Sequence, residues 1–234
     1  MKTFLWAVYG IVITWMGNKM KHIDFFVEDQ SGKIMLKHLI PKMLDGIDCV
    51  TFQIYCYKGI GHISKKQKSA KTIKARQLMD NLPKIINGCG NTYNNWPKNY
   101  KGYVIIICDL DKQNKKSFLE KLNALLESCH NKPQVFFCLA IEEGEAWLLG
   151  DHQAVITAFP HANQKLLDSY KQDSICDTWE TLANIVGFIY KGKSFAEIGK
   201  EKYRWADSIS PHIVLERNQS PSFQHLLATV KAIV

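Results

Sequence analysis

The sequence predicts an α/β fold: a mainly parallel sheet of about four core strands flanked by helices, with a helical C-terminal extension. Three observations predict it. From His22 onward, short continuous apolar runs alternate with helical periodicity, as expected of strands buried on both faces and joined by crossover helices. The runs end repeatedly in Asp or Glu, and no strong strand pattern follows Asp151.

His22–Glu28 (HIDFFVE) reads as the first strand. The Asp29–Gly32 turn leads to a helix from Lys33 to Leu44, with Ile34, Leu36, Leu39, Ile40 and Met43 on its apolar side. Val50–Tyr57 is the second strand, and Lys58–Lys68 a glycine-containing basic loop. Ala70–Ile86 carries helical spacing through Ile73, Leu78, Leu82 and Ile85, which Pro83 is expected to kink or break. Residues 87–101, rich in Gly and Asn, read as turns throughout. Tyr103–Cys108 (YVIIIC) is the strongest strand and ends in Asp109-Leu110-Asp111. Ser117–Ser128 is a helix with Phe118, Leu122, Leu125 and Leu126 inward. Val135–Ile141 is a fourth strand running into Glu142-Glu143-Gly144-Glu145. Beyond it lie helices and loops.

The 234 residues suit one α/β domain with a helical appendage. Residues 20–150 are assigned to the core and 151–234 to an extension packed on it. A hydrophobic fraction of 46% against 22% charged excludes low-complexity disorder. A net charge of +8 and a pI near 9.0 favour phosphate-bearing partners. The seven cysteines form no Cys-x-x-Cys pair, and Cys56, Cys108 and Cys138 sit in apolar strand runs, which fits a reducing cytoplasm. Phe4–Met16 is apolar, short of the roughly 20 residues that span a bilayer, and no small-residue cleavage site follows it. Residues 1–19 therefore read as an extension upstream of the domain, from a misassigned start at Met1 rather than Met20. An export signal or membrane anchor is the alternative; no stable membrane association is expected.

Ligands in open α/β sheets gather beyond the carboxyl ends of the strands. Glu28 closes the first strand, Asp109 and Asp111 the third, and Glu142, Glu143 and Glu145 follow the fourth. The i, i+2 spacing of Asp109 and Asp111 sends both side chains to one face if the strand persists. Carboxylates gathered at one edge repel unless a cation or proton intervenes, and hard oxygen donors suit Mg²⁺ or Mn²⁺. Each acid alone also suits a helix cap or a turn; the conjunction carries the reading.

These residues resemble the Toprim (topoisomerase-primase) fold, in which a Glu after the first strand and an Asp-x-Asp after the third hold Mg²⁺. More closely, VEDQSGKIML, IICDLD, LAIEEGEAWLLGD and ERNQSPSF are similar to an uncharacterised bacterial family related to the Toprim domains of overcoming-lysogenisation-defect nucleases. The likeness covers about residues 22–228. It implies that Glu28 is a metal ligand or general acid/base and that Asp109 and Asp111 coordinate Mg²⁺. The nucleases often continue the first motif as Glu-Gly-x-Thr-Glu, whereas this chain has Glu28-Asp29-Gln30-Ser31-Gly32 and lacks the second acid. Glu145, or else Glu142 or Glu143, is expected to replace it.

Ser31, Gly32 and Lys33 open the first helix and are candidates to hold a phosphate, with a plain N-cap as the alternative for Ser31. Lys58 and His62, with Lys65, Lys66 and Lys68, form a basic loop on the same presumptive edge, suited to a nucleic-acid backbone or simply solvated. In the tail, Lys202 and Arg217 are candidates to clamp phosphate, while Asn218–Ser222 reads as a cap of the last helix with Pro221 in its first turn. Trp147 reads as core rather than a base-stacking platform.

The leading expectation is a Mg²⁺-dependent nuclease acting on nucleic acid, DNA in preference to RNA, in bacterial defence or DNA repair. A partner ATPase and a homodimer accompany it as expectations. The rivals are a non-catalytic module binding nucleic acid or an ATPase, and a haloacid-dehalogenase-like phosphatase with Asp109 as nucleophile and Asp111 as acid. In the latter, Asp-x-Asp usually follows the first strand, with Thr or Val where Gln113 stands here.

Overall fold

A computed structural model describes residues 19–59 and 77–234. A four-stranded, all-parallel sheet in the order β2-β1-β3-β4 is formed by β1 (Met20–Val27), β2 (Val50–Cys56), β3 (Tyr100–Asp109) and β4 (Gln134–Ala140). Between them run α1 (Gln30–Met43), α2 (Leu78–Asn94) and α3 (Lys115–Glu127). After β4 come α4 (Glu145–Leu149), α5 (His152–Ala158), α6 (Gln164–Ser169), α7 (Thr178–Val186), α8 (Phe195–Ile209) and α9 (Pro221–Ile233). The expected parallel α/β sheet with a helical C-terminal extension is what the chain forms. The apolar segment 4–16 and the basic stretch from His62 to Lys68 lie outside the described residues. Among those described, no helix is long and apolar enough to cross a membrane.

Strand alternation divides the core in two. Ile23, Phe25 and Val27 of β1, Tyr103, Ile105 and Ile107 of β3, and Cys138 and Ala140 of β4 face α1 and the C-terminal helices. Phe26, Val104, Ile106, Cys108 and Leu139 face α2 and α3 instead. Trp147, Trp205 and Phe223 are fully buried in the first of these cores, so α4, α8 and α9 share a hydrophobic interior with the sheet. Trp147 Nε1 donates to Ser222 Oγ at 2.8 Å, which satisfies its one polar atom. All seven cysteines are free thiols.

Residues 87–94, expected as turn, extend α2, and Pro83 lies inside this helix without ending it. Side chains maintain it: Asn87 Nδ2 donates to the Pro83 carbonyl at 2.8 Å and Thr92 Oγ1 to that of Gly88 at 2.9 Å. Its glycines serve packing. A Cβ on Gly90 would stand 1.8 Å from the Asn131 carbonyl oxygen, so only glycine lets α2 meet the loop after α3. The Asn218–Ser222 cap is present, with Ser220 Oγ accepting from Phe223 N and Pro221 at the first helical position.

Candidate functional site

The site lies beyond the carboxyl ends of the two central strands. Glu28 directly follows β1 and Asp109 ends β3, and the two strands are neighbours, with Val27 opposite Ile107. This pairing brings residues 81 apart in sequence together: the Asp109 backbone N–H donates to Glu28 Oε2 at 3.3 Å. A cavity of about 30 Å³, lined by Glu28, Asp29, Asp109, Gly144 and Glu145 among others, opens between α1 and α4. It has room for one or two water-sized groups, at roughly 10–15 Å³ each. A Cβ on Gly144 would lie 3.8 Å from Asp109 Oδ1, so glycine there keeps the approach clear.

Asp29, read from sequence as part of a turn, caps α1. Its Oδ1 accepts from Gly32 N at 2.7 Å and its Oδ2 from Ser31 Oγ at 2.6 Å. The first turn of α1, expected to hold a phosphate through Ser31, Gly32 and Lys33, is therefore filled by the chain's own carboxylate. Lys33 N donates to the Asp29 carbonyl as an ordinary helical bond, and Ser31 is not the N-cap. Asp29 adds a negative charge to the pocket that sequence reasoning missed. The signal was its place directly between a strand and an amphipathic helix.

Asp111 and Glu142 sit just past β3 and β4 in left-handed backbone conformations, φ +50° and +60°, and pair as an isolated antiparallel bridge. Asp111 N donates to the Glu142 carbonyl at 2.8 Å. The carboxylate of Glu142 turns away from the acid pocket. It accepts from the backbone N–H groups of Cys176, Asp177 and Thr178 and from the Thr178 hydroxyl at 2.5 Å. Four donors leave it no open coordination position, so the metal role expected for Glu142 gives way to a structural one, holding the loop that starts α7. Glu143 and Glu145 stay with the site. Glu143 Oε2 accepts from Trp179 N at 3.1 Å, and buried Glu145 opens α4.

Lys202, expected as a phosphate clamp in a separate tail cluster, arrives from α8 in the middle of these acids. Its Nζ lies 3.2 Å from Glu145 Oε2 and 3.9 Å from Glu143 Oε2. Arg217, the other half of that clamp, is engaged elsewhere: its Nε donates to buried Asp151 at 2.7 Å and its guanidinium to the His212 carbonyl. Lys58 is exposed in the loop after β2, and His62 lies outside the described residues.

Burial is the dominant electrostatic fact. It pushes the Glu28 carboxyl up to about 7 with help from the charges of Asp29 and Asp111, against the Asp109 N–H and Lys202, which oppose the shift. Burial and then Glu28 raise Asp109 well above the usual carboxylate range. Glu143 is pushed up to about 7, and Asp111 and Glu145 are raised, all first by burial. Burial works to lower the Lys202 ammonium, but Glu145, Glu143, Asp109 and Asp29 outweigh it and hold the proton on.

Such a set carries excess negative charge that either protons or a cation relieves. Its donors are hard carboxylate oxygens, the chemistry Mg²⁺ and Mn²⁺ prefer. Among the described residues, no three His, Cys, Asp or Glu side chains already converge on a common point, so ion binding would require these side chains to close inward.

Among solved structures, the C-terminal region of the Burkholderia pseudomallei OLD protein is similar over 91% of this chain and 98% of that one, at 15% identity and a TM-score of 0.46. No curated protein matches the chain. The family described as a domain of unknown function, DUF4276, matches residues 27–231, and the chain belongs to it.

Proposed function

We propose that the chain is a divalent-cation-dependent nuclease that hydrolyses phosphodiester bonds, of DNA in preference to RNA, at the acid edge of its sheet. The observation that carries this reading is the Glu28–Asp109 junction: two carboxyls on adjacent central strands, in hydrogen-bond contact, lining a small cavity with Asp29 and Glu145. Glu28, Asp109 and Asp111 would hold the ion. When bound, Mg²⁺ or Mn²⁺ lowers the pKa of coordinated water and neutralises charge on the phosphoryl oxygens. Glu28, with a proton affinity near neutrality, is suited to accept or return a proton at its carboxylate. Lys202 fixes Glu145 and Glu143 and keeps a positive charge where phosphate approaches. The net charge of +8 supports a polyanionic substrate.

A second reading, a module that binds nucleic acid without cutting it, is favoured by the same Lys202, because an ammonium already compensates the acids without a metal. Cleavage assays on plasmid and on single-stranded DNA and RNA with Mg²⁺ and Mn²⁺ decide between them. Cleavage lost in Asp109→Ala supports the nuclease. Activity retained by that variant overturns it, binding without turnover supports the second reading, and phosphate release from small monoesters alone rejects both.

A further inference from the structure

Helix α8 carries Lys202 and Ala206 toward the acid pocket: Lys202 pairs with Glu145, and Ala206 lines the cavity. The same stripe continues toward the start of the helix. Seven residues are nearly two turns, so Phe195 and Lys202 share a face, and Phe195 stands about 10 Å along the axis from Lys202. Its ring is 94% exposed, the most exposed large apolar side chain among the described residues. Ile189, in the loop that feeds α8, is 77% exposed.

Two further observations say what this stripe meets. Gly199 lies between Phe195 and Lys202 on the same face, although glycine costs a helix interior about 1 kcal/mol relative to alanine. A Cβ there would meet nothing within 4 Å, so packing among the described residues does not require the glycine; it leaves the face bare. The surroundings are basic: residues 187–204 hold five Lys or Arg against two Glu. Both glutamates are engaged, Glu197 by Ser194 and Lys193 and Glu201 by Arg204, whereas exposed Lys191 and Lys200 have no ion-pair partner among the described residues.

We propose that the Phe195–Gly199–Lys202 face of α8 is a track for an unpaired nucleic-acid strand, on which Phe195 stacks a base of the strand whose phosphate reaches the acid pocket. An exposed ring beside unpaired lysines is the arrangement that holds single strands: stacking engages any base, and the cations follow the backbone. A base paired within a duplex has no free face to offer. The track thus makes the substrate class single-stranded ends, gaps or flaps. This inference rests on the nucleic-acid reading above.

The test is binding of a short single-stranded DNA carrying 2-aminopurine, and of a duplex of equal length, in EDTA, where no metal-dependent cleavage consumes the strand. The wild-type chain is expected to change the 2-aminopurine emission. Phe195→Ala weakens single-strand binding by roughly 5- to 150-fold and abolishes that change, leaving duplex binding within about twofold. Phe195→Trp retains both properties, and Gly199→Leu, which has space to fold, weakens single-strand binding alone. Equal single-strand affinity and emission in wild type and Phe195→Ala overturns the track while leaving the nuclease proposal standing. A Phe195→Ala effect confined to a concentration-dependent dimer in sedimentation also overturns the track. Absence of nucleic-acid binding by the wild-type chain overturns both.

Discussion

Lys202 Nζ stands 3.2 Å from the carboxylate of Glu145, an ion pair that joins the middle of α8 to the first turn of α4 at the mouth of the acid pocket. It places the one cation that opposes the elevated proton affinity of Glu28, Asp109, Asp111, Glu143 and Glu145 alike.

Replacing Lys202 with Met therefore leaves buried carboxylates without their counter-charge. Breaking such a pair from one side costs about 3 kcal/mol. Urea denaturation of Lys202→Met is expected to show that loss at pH 8 and a smaller one at pH 5, where the acids take up protons instead. An equal loss at both pH values would mean that the side chain acts through packing alone.

The wild-type protein without metal is expected to lose stability as pH rises from 5 to 8. Glu28 and Glu143 are raised from 4.5 to about 7 in the folded state. Between those values the folded chain holds a proton that the unfolded chain has released, so stability is fully present below 4.5 and is lost as pH passes 7. The contribution of Glu28 is up to about 3 kcal/mol. Glu28→Gln flattens the profile, and Mg²⁺ raises stability at pH 8 more than at pH 5. A thermal-unfolding series over this range reads both effects.

Glu142→Gln separates the structural acid from the chemical ones. The carboxylate that gathers Cys176, Asp177 and Thr178 is lost, and one amide donor is left facing backbone N–H groups. The expected cost is about 3 kcal/mol, with faster hydrogen exchange at residues 176–178. Metal affinity is expected to change little, whereas Asp109→Asn, which removes a buried charge, abolishes it and leaves the metal-free fold as stable or more so.

Gly90→Ala tests the packing of α2 against its helix propensity. Propensity alone predicts a gain of up to about 1 kcal/mol. The Cβ would meet the Asn131 carbonyl at 1.8 Å, so a net loss of about 2 kcal/mol or more is expected in chemical denaturation.

The strands were legible because each is a short apolar run that closes on acid or turn residues. Residues 87–94 were not, since Asn and Gly are weak helix formers in isolation. Their helix is stabilised by side-chain bonds to preceding carbonyls and by a glycine contact with a loop some forty residues away, neither visible in a local window. Glu28, Asp109 and Asp111 stood out at the strand ends. Glu142, Glu143 and Glu145 looked equivalent until the left-handed backbone at Glu142 aimed its side chain at α7. Lys202 resembled its solvated neighbours Lys200 and Lys193, and only the packing of α8 against α1 and α4 distinguishes it.

The counter-charge for the acid edge arrives late in synthesis. A ribosome that has completed β4 has exported every carboxylate of the pocket but not Lys202, nor the final residue, whose carbonyl binds Lys21 of β1 at 2.9 Å. Until the last third of the chain emerges, the nascent edge repels polyanions, so the protein is born inert toward its own messenger and acquires its bite only when translation is nearly over.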